Sequence, residues 1–235
     1  MIVPRPEWYL LRAELSLADA DRDTGVAVLL ILSTVMAIVG TTFAGADWAS
    51  GSMSNQLLFE PRRHRVWLAK AGAVLLGGLA VTAVIVAAFW VTLYLVAESR
   101  GISTGATVQE AIRGRAGRGI LLAAVAGFAG YALTMLVRHT VGTVAAMFAY
   151  AVGGEILFSS LPIDGIARWS LANNVFAWLT KRHEYFDPNL PCPPSRRFCD
   201  QLAVLTLEDS VAYLGVLLLL VTAGSLWLFR RRDIP

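Results

Sequence analysis

Apolar residues gather into five long runs along this chain, separated by polar stretches of very unequal length. The runs cover about Gly25–Phe43, Ala71–Val96, Gly119–Val137, Thr140–Leu161 and Val211–Phe229. At about 1.5 Å per residue, each helix is long enough for a bilayer core of about 30 Å. Ala71–Val96 is long enough to tilt. Only Arg138 and His139 separate the third run from the fourth, which predicts a tight helical hairpin. Small residues in the third run, Ala123, Gly127 and Gly130, allow close helix packing. The expected fold is an all-α membrane protein: one transmembrane domain over residues 1–235, a polytopic bundle of about five spans.

Composition agrees with this pattern. Apolar residues make up 56% of the 235 and charged residues only 16%, against about 25% charged in ordinary soluble domains. The net charge of +3 is small and gives no reason to expect a nucleic-acid partner. The first 24 residues contain five acids and do not read as a signal peptide, which needs a basic start and a short apolar stretch.

The placement of Lys and Arg sets the expected orientation. The basic Arg230–Arg232 end reads as cytoplasmic. Counting back through five spans puts the Arg138 turn and the Arg62–Lys70 loop on the same side. Met1–Thr24, Glu98–Arg118 and Leu161–Ser210 then lie outside. Glu98–Arg118 sits awkwardly there, because it holds Arg100, Arg113, Arg115 and Arg118. An outside N-terminus on five spans suggests that a first span is missing ahead of this sequence. The expected location is a cell membrane, of the bacterial cytoplasmic kind.

The long outer loop carries the only two cysteines, Cys192 and Cys199. In an oxidising compartment they close a disulfide ring; otherwise they stay as thiols. In the same loop, "IARWSLANNVFAWLTK" spaces Ile166, Trp169, Val175, Phe176 and Trp178 as on a helix. This predicts a short helix at the outer interface, or a buried cap over the bundle.

Between the first two runs lies "ADWASGSMSNQLLFEPRRHRVWLAK", residues Ala46–Lys70. Trp48, Met53, Leu57 and Leu58 form a partial apolar stripe across a short helix that Pro61 ends. Arg62, Arg63 and Arg65 then sit at the membrane surface, and Lys70 can snorkel from the next span. Two readings stand side by side: an interfacial helix with ordinary basic flanks, or a docking helix for a cytoplasmic partner.

The pattern Asp47, Gly51-Ser52, Leu57-Leu58, Pro61-x-Arg63 and Lys70 resembles the first cytoplasmic loop of permease subunits of type-2 ABC exporters. The basic turn "LVRHTVG", the long outer loop before the last span and the basic C-terminus are similar too. Asp47 stands where that family usually has Glu, and Ser52 where it has Thr; the family also has six spans. The resemblance implies a cytoplasmic coupling helix seated in a groove of an ATP-binding subunit. Asp47, Trp48, Gly51, Ser52, Leu57, Leu58, Pro61, Arg62 and Arg63 are its expected contact residues. It also implies a second permease chain, making a homo- or heterodimer within membrane lipid. This chain lacks a G-x-x-x-x-G-K-[ST] loop, so ATP and Mg belong to the partner ATPase and no cofactor is expected here. The implied function is the non-catalytic transmembrane subunit of an ATP-driven exporter that forms the translocation path. Lipophilic compounds or drugs are the favoured cargo.

Glu155 is the one ionisable residue inside a run. Such a carboxylate reads as part of a substrate path or gate. The plainer alternative is a headgroup-level acid paired to Arg168. Gly153 and Gly154 beside it favour a loosened helix. An enzyme is disfavoured: His64, His139 and His183 lie apart, without a second His or Cys at ligand spacing, and no metal is expected. A structural or regulatory membrane subunit that docks a cytoplasmic partner but transports nothing is the alternative function.

Overall fold

A computed structural model describes residues 17–101, 105–187, 189–190 and 201–231. Cys192 and Cys199 lie outside the described residues. The chain begins with α1 (Leu17–Ala20), a π-helical turn at Asp21–Gly25 and α2 (Val26–Ala49). A short α3 (Ser52–Phe59) leads to α4 (Arg63–Ser99), α5 (Ala106–Val137) and α6 (Thr140–Phe148). A second π-helical turn, Ala149–Gly153, connects α6 to α7 (Gly154–Ser160). A 3₁₀ turn at Ile166–Trp169 precedes α8 (Leu171–Thr180), β1 (Arg182–Phe186), β2 (Leu202–Thr206) and α9 (Leu207–Arg231).

Among the described residues, five helices are long and apolar enough to cross a membrane: Asp21–Ala49, Arg63–Ser99, Ala106–Val137, Thr140–Phe158 and Leu207–Arg231. Four of the five apolar runs lie within these helices, and the fourth, Thr140–Leu161, runs slightly past Phe158. Two of the helices extend well beyond their runs. The 37 residues of α4 span about 55 Å, and the 32 of α5 about 48 Å. Both exceed a hydrocarbon core of about 30 Å. The first turns of α5, which carry Arg113, Arg115 and Arg118, therefore form a helical extension rather than a loop.

The α2–α5 pair is the most extensively packed in the fold. Its closeness depends on glycine. A Cβ placed on Gly40 of α2 would lie 1.8 Å from the Gly127 carbonyl oxygen of α5. One placed on Gly130 would lie 2.2 Å from the Ala37 carbonyl oxygen. Ala123 is fully buried in the same face. Apolar side chains gain little by leaving lipid for protein, so such backbone approach is what makes helices associate there.

The core is split between the two ends of the bundle. At the end that carries α3, the cluster is Ala44, Met53, Trp67, Ala71, Tyr131, Ala132, Met135 and Phe229. At the end that carries α8, Leu29, Val86, Trp90, Ile112, Leu122 and Leu179 pack together. Between these ends the outward faces remain apolar: Leu76, Val84, Leu219 and Leu220 are all more than 60% exposed.

To the helical fold class the structure adds a small sheet. β1 and β2 pair antiparallel, with Arg182 opposite Thr206 and Phe186 opposite Leu202. Tyr185 and Leu205 turn inward onto Ala177 of α8. The expected single interfacial helix is likewise resolved into two parts. Ser170 breaks it into the 3₁₀ turn and α8, and its Oγ accepts the Asn173 N–H at 3.1 Å as the N-cap of α8.

Candidate functional site

The loop between α2 and α4 folds into a corner. Ser50 is followed by Gly51 in the left-handed region at φ 68°. That conformation suits glycine and turns the chain so that α3 starts at Ser52. The apolar stripe expected from Trp48 to Leu58 is therefore shared between two helices. Trp48 belongs to the last turn of α2, and Met53, Leu57 and Leu58 belong to α3.

Asp47 ties the corner together. Its Oδ1 accepts a hydrogen bond from Ser52 Oγ at 2.8 Å. Its Oδ2 forms an ion pair with the Lys70 ammonium, which also lies 5.9 Å above the centre of the Phe43 ring. Three residues of the resemblance pattern, 23 positions apart at the extremes, thus meet at one carboxylate. Both charged side chains are less than 20% exposed, so the pair is only lightly screened by solvent.

The inner side of the corner locks onto the other helices. The Arg138 guanidinium stacks 4.6 Å from the centre of the Trp48 ring, and Phe229 meets the same ring edge-on at 6.4 Å. Arg138 takes the left-handed conformation that ends α5; His139 Nδ1 then caps α6 by accepting from the Gly142 N–H at 3.0 Å. Arg63 donates to the Phe229 carbonyl at 3.4 Å, placing a cation at the C-terminal end of α9. Trp67 Nε1 donates to Ser225 Oγ at 3.1 Å, and Tyr131 Oη donates to the Trp67 carbonyl at 3.0 Å. These contacts tie the ends of α2, α4, α5 and α9 together, and α3 joins them through Ser52 on Asp47 and Met53 in the α3-end core.

The outer side is bare. Leu58 is 79% exposed and Phe59 is 91% exposed. Pro61, Arg62, His64 and Arg65 are exposed beside them. Glu60 accepts the Arg62 N–H at 3.2 Å and lies 4.0 Å from Arg65, which shapes the turn after α3. Of the expected contact residues, Leu58, Pro61 and Arg62 face outward, while Trp48 and Leu57 pack against the α3-end core. Phe59 was not among those expected; it directly follows Leu57-Leu58 and is the most exposed large apolar side chain described.

The opposite end holds Glu155. Its carboxylate accepts from Ser170 Oγ, at 2.8 Å to each oxygen, and from the Ala172 N–H at 3.0 Å. It therefore lies at the N-terminus of α8, where the helix dipole and free N–H groups favour an anion. The alternative pairing with Arg168 is not formed; Arg168 lies 3.8 Å from Asp209 instead. The reason is backbone geometry: the break at Ser170 aims the start of α8, rather than the Arg168 side chain, at α7.

Two of the three arginines of α5, Arg115 and Arg118, find partners at this end. Arg115 pairs with the nearly buried Asp21. Arg118 donates through Nε and Nη2 to the Leu179 carbonyl at 3.2 and 2.7 Å, and Trp178 Nε1 donates back to the Arg118 carbonyl at 2.9 Å. Among the described residues, no group of three His, Cys, Asp or Glu is arranged to hold a metal ion.

No protein-family model, curated protein or solved structure matches this chain.

Proposed function

We propose that this chain is the transmembrane subunit of an ATP-driven exporter, worked by a separate ATP-binding subunit that docks on α3. The observation that carries this reading is the α2–α3–α4 corner. A short helix with a bare Leu58-Phe59 tip and basic flanks is fastened to two long helices by Asp47, Ser52 and Lys70. Large exposed apolar side chains with neighbouring arginines make a suitable partner anchor. The α3 end, with Arg230 and Arg231, is then the cytoplasmic side.

In this reading the partner binds ATP and Mg, and its closure pushes α3. The push passes to α2 and α4 through Asp47, to the α5–α6 turn through Trp48 and Arg138, and to α9 through Phe229. Packed elements move as rigid bodies, so a short lever shifts whole spans. A second permease chain completes the path. It covers the fourth and fifth crossing helices, of whose apolar windows only 6% is buried within this chain. Lipophilic cargo suits such a path.

Purification in mild detergent from native membranes tests the proposal. The expected co-purifying protein carries a G-x-x-x-x-G-K-[ST] loop. It should be lost from the Leu58→Ser/Phe59→Ser variant, whose changes fall on exposed positions. Recovery of the intact chain without such an ATPase contradicts the proposal. An ATPase that stays bound with unchanged hydrolysis when α3 is altered indicates a docking subunit that transports nothing.

A further inference from the structure

The fourth crossing helix is fastened at both ends and loose in its middle. At the α3 end, α6 is wedged against α2. A Cβ placed on Gly45 would lie 1.8 Å from Thr140 Oγ1, Thr143 is fully buried, and Thr41 Oγ1 donates to Met147 Sδ at 3.7 Å. At the α8 end, Glu155 of α7 accepts from the Ser170 hydroxyl and the Ala172 N–H. α8 is itself held to α5 through Trp178, Arg118 and the Leu179 carbonyl. Between these anchors none of the described residues from Phe148 to Ser160 is buried.

The loose middle also holds surplus chain. Ala149–Gly153 is a π-helical turn, which takes up one more residue than an α-helical turn and so gives the segment slack. A Cβ added to Gly153 would meet nothing within 4 Å, so no neighbouring helix braces the end of the turn. Across from it stands α9, which packs on α5 and α8; among the described residues it has no extensive packing with α6, the π turn or α7. Tyr150, inside the turn, meets Tyr213 of α9 hydroxyl to hydroxyl at 2.5 Å. The Trp169 ring backs Tyr213 at 6.1 Å. With Phe158 and Ile163, these three rings line a cleft of about 660 Å³. The tyrosine pair therefore closes a gap between two crossing helices that hardly pack on each other. In hydrocarbon a free hydroxyl finds no water, which favours the closed pair.

We infer that Ala149–Gly153 is a strap and that the Tyr150–Tyr213 pair is its latch. When the hydroxyls part, the slack turn bows away from α9. α6 stays wedged on α2, and Glu155 stays on the start of α8. The cleft then opens between the fourth and fifth crossing helices. A segment held at both ends and free in the middle has two discrete positions, latched and bowed, as hinged elements do. The strap does not depend on the exporter reading; within that reading, it gives lipophilic cargo a passage between two spans.

The test uses the full chain in lipid nanodiscs, with spin labels carried on noncanonical residues so that the native cysteines stay untouched. Double electron–electron resonance between positions 152 and 219 reads the distance from strap to α9. A second pair, 141 and 219, reads the anchored end. Val152, Val141 and Leu219 are all more than half exposed, so the labels leave the core alone. The wild-type 152–219 pair should show chiefly a short distance and a minor long one. Tyr213→Phe should raise the ratio of long to short about threefold, the effect of one hydrogen bond between membrane helices. Tyr150→Phe should do the same, and the double variant should add nothing further, because each change breaks the same bond. The 141–219 distance should not change. An unaltered 152–219 distribution in both single variants overturns the inference. So does an equal shift in both label pairs, or additive effects of the two tyrosine changes.

Discussion

Asp47 at the end of α2 and Lys70 early in α4 form an ion pair across the corner that contains α3, and Ser52 shares the same carboxylate. The pair joins two crossing helices at their α3 ends and fixes where the short helix starts. Removing one partner leaves a mostly buried charge without compensation, which costs about 3–5 kcal/mol at fully buried sites; partial exposure brings the expected loss below that. Asp47→Ala and Lys70→Met should each lower the thermal midpoint in detergent. The double variant should lose less than the sum of the two. Strict additivity in this double-mutant cycle would show that the two side chains do not interact.

Backbone contact between α2 and α5 should leave no room for side chains at Gly40 and Gly130. Gly40→Ala places a methyl against the Gly127 carbonyl and Gly130→Ala places one against the Ala37 carbonyl. Neither carbonyl can rotate away. A cost of about 1–3 kcal/mol is expected for such overpacking. Gly77→Ala, with nothing within 4 Å of its added Cβ, is the control and should be neutral or slightly stabilising in a helix. Equal thermal midpoints for all three variants would refute this packing.

Glu155 joins α7 to the start of α8, so its loss should loosen α8 without unfolding the spans. Glu155→Ala removes an acceptor shared by Ser170 Oγ and the Ala172 N–H. Hydrogen exchange in residues 171–175 should rise, in line with a cap worth about 1 kcal/mol. Glu155→Gln keeps an acceptor and should recover much of the protection. Unchanged exchange in both variants would mean that the carboxylate does not hold α8.

Acid should weaken the cap that α8, β1 and β2 form at this end of the bundle. His183 on β1 stacks on Phe176 with ring centres 5.2 Å apart, and burial holds its pKa below the ordinary 6.5. Below that value the unfolded cap binds a proton that the folded cap resists. Stability from this group is therefore full above pH 6.5 and falls as pH drops toward the depressed value. Hydrogen exchange across β1 and β2 should increase between neutral and mildly acidic pH. His183→Gln should flatten the dependence. A wild-type cap as protected at pH 5 as at pH 7.5 contradicts this.

Much of the helical framework was legible from the apolar runs, because hydrocarbon length and continuous hydropathy are local properties of sequence. The loosened fourth span was legible as well: Gly153 ends the π-helical turn there. What escaped depends on contacts between distant residues. Arg115 and Arg118 of α5 look misplaced in the sequence because neither Asp21 nor the Leu179 carbonyl is near them along the chain. For Glu155 the sequence offers only Arg168 as a nearby cation, whereas the break at Ser170 brings it the Ser170 hydroxyl and a helix N–H. The strands β1 and β2 are five residues each, too short for alternation to stand out against the neighbouring helical pattern. In the corner, the stripe from Trp48 to Leu58 looked continuous because spacing alone does not reveal the turn at Gly51. The same turn sends Trp48 inward and leaves Phe59 at the tip.

The most direct test of the account is site-specific photo-crosslinking in native membranes from position 59. A crosslinker replacing Phe59 is expected to capture a protein with a nucleotide-binding phosphate loop, and one replacing Arg113 at the opposite end is not. Capture of lipid alone from position 59, or of the same ATPase from both positions, contradicts the coupling role of α3.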